Sequence, residues 1–266
     1  MTSPLSIPRP RLRLPWERLI PWLVPLTLLI FWQLLAQGGW LNSRVLPAPT
    51  DVLRAALRLT VSGELLRHLG ISTWRAAVGF LIGGGLGLFF GVLNGVFRPA
   101  ELLADSSIQM IRNIPHLAMI PLVILWFGIG DQARIFLVAL GVLFPIYVNT
   151  FYGIRAIDPG LIEMGQVYGL SPRQLFFQII LPGSLPSVLV GLRYALGIMW
   201  LTLIVAETIA AGSGIGYMAM NAREFMQTDV VVLAILLYAL LGKLADSAVR
   251  WLEGLWIAWH PSQNLS

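Results

Sequence analysis

The side chains best suited to chemistry stand too far apart along this chain to suggest an enzyme's catalytic set. The three histidines, His68, His116 and His260, are widely separated, and the sequence contains neither HExxH nor GxSxG. It has no cysteine, which excludes disulfides, iron–sulfur ligation and thiolate chemistry. We therefore predict no catalytic residue, no metal ligand and no cofactor.

A second group of polar side chains lies within or beside apolar stretches, where they would suit a transport pathway. The candidates for this role are Gln109, Asn113, His116, Arg193 and Glu207. An ionisable residue in a membrane helix is a functional candidate by default, but Glu207 could instead form a structural ion pair with Arg193 or Arg75. His116 and the amides could likewise be structural, with the amides satisfying backbone groups freed by prolines. An anionic substrate would favour Arg112, Arg193 and His116 over a carboxylate.

The composition indicates that these polar residues belong to a membrane protein. Of the 266 residues, 57% are hydrophobic and only 12% are charged, whereas roughly 25% are charged in an average soluble domain. Mean hydropathy is +0.77. Such a chain is too apolar for a soluble globule and too poor in charge for a disordered one. The net charge of +5 does not indicate nucleic-acid binding, because the basic residues are scattered between apolar stretches.

Six apolar stretches predict six transmembrane helices, at residues 20–36, 76–97, 114–130, 135–154, 190–211 and 230–249. The first follows Arg9, Arg11, Arg13 and Arg18 and could be a signal peptide, but no clear cleavage site follows it, so we predict an uncleaved helix. Between the first two stretches, Thr50 or Asp51 is predicted to cap an amphipathic surface helix. That helix would run through Leu53, Leu57, Leu65 and Leu66.

Glycine recurs at every fourth position of the second stretch, from Gly79 to Gly95. On a helix these residues share one face and allow a neighbouring helix to approach closely. The cluster Gly83–Gly85 could also suggest a phosphate-binding loop, but neither GxGxxG nor GxxxxGK[ST] is present. We therefore predict a packing face.

Positive charge predicts the orientation of the chain. With a cytoplasmic N-terminus, ten basic residues fall in inner segments and six in outer ones, which agrees with the positive-inside rule. We predict a tail, first helix and amphipathic segment at 1–67, a core at 68–250 and a C-terminal tail at 251–266.

The stretch between the fourth and fifth apolar segments predicts a helix–turn–helix on the cytoplasmic side. Asp158 can cap a first helix that begins at Pro159, and Gly169 can end it in a left-handed conformation. Ser171 can then cap a second helix. A plain polar connector is the alternative, but the spacing inside the hairpin is more specific than a connector requires.

That spacing resembles the EAA loop of ABC-importer permeases, in which a glutamate, a glycine and an Ile-x-Leu-Pro sequence stand at fixed intervals. Glu163, Gly169, Ile179, Leu181 and Pro182 match every interval, with Met164 and Gly165 in place of two alanines. Residues 114–118, 124–130 and 200–207 resemble the subfamily that serves nitrate, taurine and aliphatic sulfonates. Residues 107–110 and 214–225 are most similar to permeases of aliphatic-sulfonate importers.

The resemblance implies an all-α membrane subunit of the type I importer fold and not an enzyme. Two copies would enclose the pathway as a homodimer within the inner-membrane lipid. Each 163–182 loop would dock on a cytoplasmic ATPase, and a periplasmic or lipid-anchored binding protein would deliver the substrate. Glu163 would make a charged contact with the ATPase, Gly165 and Gly169 would permit close approach, and Ile179, Leu181 and Pro182 would seat the second helix.

Two alternatives differ in class or in substrate. A secondary transporter or channel would share this composition, but it would have no need of an EAA hairpin. Taurine, nitrate or another small anion would use the same mechanism, because no motif in the chain reads the substrate directly.

Overall fold

The chain forms a bundle of long apolar helices. The computed structural model describes residues 20–209 and 211–257, and all regular structure within these ranges is helical. The four N-terminal arginines and His260 lie outside the described residues. The helices are α1 (Ile20–Gln37), α2 (Pro49–Val61), α3 (Glu64–Val96), α4 (Arg98–Arg112), α5 (Ile120–Phe127), α6 (Asp131–Arg155), α7 (Pro159–Val167), α8 (Pro172–Leu175), α9 (Leu181–Thr208), α10 (Ile215–Glu224) and α11 (Thr228–Trp256).

Four of the helical segments are long and apolar enough to cross a membrane: Glu64–Val96, Asp131–Arg155, Pro172–Thr208 and Thr228–Trp256. The shorter α1 has 18 residues and is apolar, in agreement with the first predicted stretch. At 1.5 Å per residue it extends about 27 Å, close to the thickness of the hydrocarbon core. These helices confirm an all-α integral membrane protein.

The membrane helix predicted over residues 114–130 does not form as a single span. A 3₁₀ turn at His116–Met119 precedes α5, which has only 8 residues, and this unit is bent by 78° from α4. Pro115 disfavours a helical conformation at Ile114, and Pro121 lacks a backbone donor. Since eight residues extend only about 12 Å, α5 cannot cross a bilayer alone.

Two other predicted boundaries are also corrected. The fifth membrane helix does not begin near residue 190, because α8 continues through a π-helical turn, Phe176–Ile180, into α9. The amphipathic helix α2 ends at Val61, so that Leu65 and Leu66 belong to α3. Ala48 occupies the N-cap of α2 without a side-chain hydrogen bond, so neither Thr50 nor Asp51 is the cap.

The glycine face of α3 packs directly on α6, as its spacing predicts. A Cβ atom on Gly79 would lie 2.6 Å from Val138, and one on Gly91 would lie 2.7 Å from the Cβ of Thr150. The opposite side of α6 packs on α9, where Gly191 approaches Asn149 just as closely. Small residues thus place α6 at the centre of the bundle.

Candidate functional site

The hairpin at residues 158–182 forms by the local interactions that its sequence predicts. The Asp158 carboxylate accepts a hydrogen bond from the Gly160 N–H at 2.8 Å at the start of α7. Gly169 takes the left-handed conformation, with φ of +76°, between the two helices. Ser171 and Gln174 form a reciprocal capping box at the start of α8.

Gly165 allows the two helices of the hairpin to pack closely against each other. This residue is buried, and a Cβ atom added to it would lie 2.7 Å from Ile179 and 2.9 Å from Leu175. The close approach at Gly165 is therefore made within the hairpin, between α7 and the helix that follows. Substitution by a larger residue would separate the two helices.

The outer surface of the hairpin combines a carboxylate with exposed apolar side chains. Glu163 and Met164 are exposed on α7. Val167 and Tyr168, at the tip, are exposed by 86% and 80%. Apolar side chains clustered on one exposed surface are typical of a protein interface.

At the opposite end of α9, Glu207 is almost completely buried and accepts several hydrogen bonds. Its carboxylate accepts from Ser72 Oγ at 2.8 Å, Arg75 Nη1 at 2.8 Å, the Gly216 N–H at 3.0 Å and the Tyr238 hydroxyl at 3.1 Å. These partners come from α3, α10 and α11. The carboxylate therefore ties three elements to α9.

Arg75 extends this cluster to α6 and to the segment before α10. Its guanidinium contacts Asp131 Oδ1 at 2.6 Å and donates to the Ser213 carbonyl at 2.7 Å. Gly214, with φ of +109°, passes so close to the Glu207 carboxylate that a Cβ atom would collide with it. We call Ser72, Arg75, Glu207 and Tyr238 the buried cluster.

Sequence reasoning gave Arg75 as one possible partner of Glu207 but did not identify Ser72 or Tyr238. Ser72 and Glu207 are 135 residues apart in sequence, and their contact depends on how α3 packs against α9. In the sequence, Ser72 and Tyr238 are each just a polar residue in or beside an apolar stretch. Many helices contain such residues, so nothing marked these two as partners of Glu207.

In the structure, the five candidate pathway residues do not come together at one site. Arg193 contacts Asp246 at 3.2 Å and Glu253 at 2.5 Å, so it is an ion-pair partner on the side of α11. Gln109 donates to Asp105 at 3.3 Å. Asn113 donates to the backbone carbonyl of Gln109 at 3.0 Å.

His116 lies instead at a cavity of about 290 Å³ between α6, α9 and the break before α5. One of its ring nitrogens, Nε2, lies 3.0 Å from Thr202 Oγ1 on α9. Gln109, Asn113, Arg193 and Glu207 do not line this cavity, and their role in a pathway stays a prediction.

No group of three or more His, Cys, Asp or Glu side chains that could hold a metal ion occurs among residues 20–209 and 211–257. The described chain is a bundle of membrane-crossing helices around α6, with a broken helix beside α6 and an exposed hairpin at one end, an arrangement that suits a transport protein of the membrane. The chain belongs to the family of inner membrane components of binding-protein-dependent transport systems, whose model matches residues 83–256.

Similar proteins are named as transport permeases. The chain is 62% identical to the putative aliphatic sulfonates transport permease SsuC of Escherichia coli, over 93% of this chain and 94% of the relative. It is 46% identical to the protein of the same name in Bacillus subtilis, over 90% of this chain and 87% of the relative. The taurine transport permease TauC of E. coli is 33% identical over 88% of this chain and 86% of the relative.

Solved structures of ABC transporters share the fold. An inward-facing structure of the methionine transporter MetNI matches with a TM-score of 0.56 and 25% identity, over 70% of this chain and 94% of that chain. An amino acid ABC transporter matches with a TM-score of 0.60 over 74% of this chain and 96% of that chain. Its identity of 17% supports the fold alone. The chain is thus an ABC-importer permease subunit, and the resemblance seen in its sequence is confirmed.

Proposed function

We propose that this permease subunit carries aliphatic sulfonates into the cell. The observation that supports this substrate most directly is the 62% identity, over 93% of the chain, to a permease named for aliphatic sulfonates. Relatives named for taurine and nitrate are only 33% and 30% identical. Taurine, nitrate and other small anions are therefore the alternative substrates that an experiment must include.

The proposed contact with the ATPase is the outer surface of the hairpin. Glu163 supplies a charge there, and Met164, Val167 and Tyr168 supply apolar area that no other described part of the chain covers. With a cytoplasmic N-terminus, this surface faces the compartment that contains ATP. Ile179, Leu181 and Pro182 hold the second helix of the hairpin in place, and Gly169 makes the turn between the two helices.

The continuity of α8 with α9 supports a direct mechanical connection. Residues Pro172–Thr208 form one helical segment of 37 residues, about 55 Å long at 1.5 Å per residue. This segment begins in the hairpin and contacts His116 through Thr202. Its last turn contains Glu207 of the buried cluster. Closure of the ATPase subunits would tilt the segment and change access to the pathway.

The remaining partners follow from the same assembly. A second copy of the chain would complete the pathway as a homodimer. A periplasmic or lipid-anchored binding protein would deliver substrate at the outer face of this assembly. Exposed apolar side chains along α1 and α3, such as Leu28, Phe31, Leu81 and Phe89, would contact membrane lipid.

Uptake of labelled alkanesulfonates should require this permease, its ATPase and its binding protein together. The measurement compares cells that contain all three with cells that lack one, using ethanesulfonate, taurine and nitrate in parallel. Loss of only taurine or nitrate uptake on deletion of the permease would correct the substrate and keep the mechanism. Undiminished transport without the ATPase would instead indicate a secondary transporter and contradict the proposal.

Replacing Glu163 by alanine should reduce sulfonate uptake at least about tenfold while the subunit still inserts in the membrane. The side chain is exposed, so its loss removes a charged contact with the ATPase without disturbing the bundle. Co-purification of the ATPase with the permease gives a second readout.

Glu224→Ala is the matched control, because Glu224 is also an exposed glutamate and lies at the end of α10, away from the hairpin. The control should leave uptake and ATPase association unchanged. If Glu163→Ala behaves in the same way as Glu224→Ala, the hairpin does not couple through this carboxylate.

A further inference from the structure

Arg112 is an exposed arginine that no carboxylate of the described chain neutralises. It ends α4, directly before the break, and it makes no hydrogen bond or ion pair with the described part of the chain. Arg75, Arg155 and Arg193, in contrast, all contact carboxylates. The charge and the donors of Arg112 therefore remain available to a ligand of opposite charge.

Arg112 lines the cavity that also contains His116. The α6 side of that cavity extends from Gly141 to Asn149, which lie about 21 Å and 9 Å from the end of α6 at Arg155. The cavity therefore covers the middle of this membrane-crossing helix and part of its inner half. A substrate moving through the subunit would pass at this depth.

The lining of the cavity is polar at one side and apolar at the other. Arg112, His116 and Asn149 supply nitrogen atoms, and no carboxylate lines the cavity. Phe144, Val148 and Ile198 supply apolar side chains. This combination matches a molecule with an anionic head and a short hydrocarbon tail.

Two of the polar groups are already oriented by other contacts. The Asn149 side-chain amide donates to the Pro145 carbonyl at 2.8 Å, which leaves its second N–H available. The His116 Nε2 atom lies beside Thr202, which leaves Nδ1 available. The guanidinium of Arg112 keeps all its donors, and it can bind two oxygens of an oxyanion at once.

We propose that this cavity is a substrate site of the permease, in which Arg112 binds the sulfonate group and Phe144, Val148 and Ile198 contact the alkyl chain. The proposal rests on the proposed function. It names the contacts that would make the permease prefer some alkyl chain lengths of the sulfonate over others. Nitrate and sulfate would fill only the polar side of the cavity, and they would gain nothing from the apolar wall.

Replacement of Arg112 by glutamine tests the head-group contact. Uptake of methanesulfonate and hexanesulfonate by the complete permease–ATPase–binding-protein system should both fall at least about tenfold, because a charge-assisted bidentate contact is lost. Arg112→Lys should retain part of the uptake. Arg98→Gln is the matched control, since Arg98 is exposed on the same helix and lies outside the cavity.

Phe144→Ala tests the apolar wall with a readout that does not depend on the amount of folded protein. The ratio of hexanesulfonate to methanesulfonate uptake should fall severalfold, because the longer chain loses apolar contact. The ratio should stay unchanged in Arg98→Gln.

The outcomes separate this proposal from the proposed function. If the wild-type system carries no alkanesulfonate, the substrate assignment fails, and the cavity proposal fails with it. If the wild type carries both compounds, but Arg112→Gln equals Arg98→Gln and Phe144→Ala keeps the wild-type ratio, the permease stands and the cavity is not its substrate site.

Discussion

Replacing Glu207 by alanine is expected to destabilise the permease by about 3–5 kcal/mol, the cost typical of breaking a buried ion pair. The carboxylate is 1% exposed, and its loss leaves the buried Arg75 guanidinium with only the largely exposed Asp131 as a counter-charge. The Ser72 and Tyr238 hydroxyls and the Gly216 N–H lose their acceptor at the same time. Equilibrium unfolding in mixed micelles measures the effect.

The Arg193 ion pairs provide the control for this substitution. The Arg193 side chain is 40% exposed, so Arg193→Ala should cost about 1 kcal/mol or less. The double variant Arg75→Ala/Glu207→Ala should lose less than the sum of the two single variants, because the two side chains share one interaction. A loss for Glu207→Ala no larger than that for Arg193→Ala would show that the buried cluster does not stabilise the fold.

Features set by neighbouring residues could be predicted from the sequence. Asp158 and Ser171 cap the two hairpin helices as expected, because a cap needs only a short polar side chain and a backbone N–H two or three residues away. The glycine repeat from Gly79 to Gly95 likewise indicated a packing face, because its period is close to one helical turn. These features need no knowledge of distant contacts.

Features set by distant contacts or by small departures from regular helix could not be predicted. The break at Pro115 lies inside an apolar stretch, and hydropathy alone does not distinguish a broken helix from a straight one. Apolar composition placed the start of the fifth membrane helix at residue 190, yet the π-helical turn at Phe176–Ile180 joins α8 to α9 in one longer segment. The cavity beside Arg112 depends on the same break, so its lining could not be assembled from the sequence.

Gly87→Leu is expected to have the other large effect, the loss of folded protein. Gly87 is buried against α6, where a Cβ atom would collide with the backbone carbonyl oxygen of Leu143 and lie 3.2 Å from the backbone nitrogen of Tyr147. Neither backbone atom can move without displacing α6, so the cost should exceed the roughly 1–3 kcal/mol typical of overpacking. The yield of monodisperse permease in detergent, compared with wild type, measures the loss.

Gly85→Leu separates this packing effect from the effect of leucine itself. Gly85 lies two residues away on the same helix, is exposed, and has no atom within 4 Å of an added Cβ. Leucine there should be tolerated, because it faces open space on an apolar helix and has a better helix propensity than glycine. Gly87→Ala should lie between the two variants, since it brings the same Cβ collision with fewer added atoms. Equal yields for Gly87→Leu and Gly85→Leu would mean that α3 and α6 can separate without loss of the fold, and that the glycine face is not what holds α6 at the centre of the bundle.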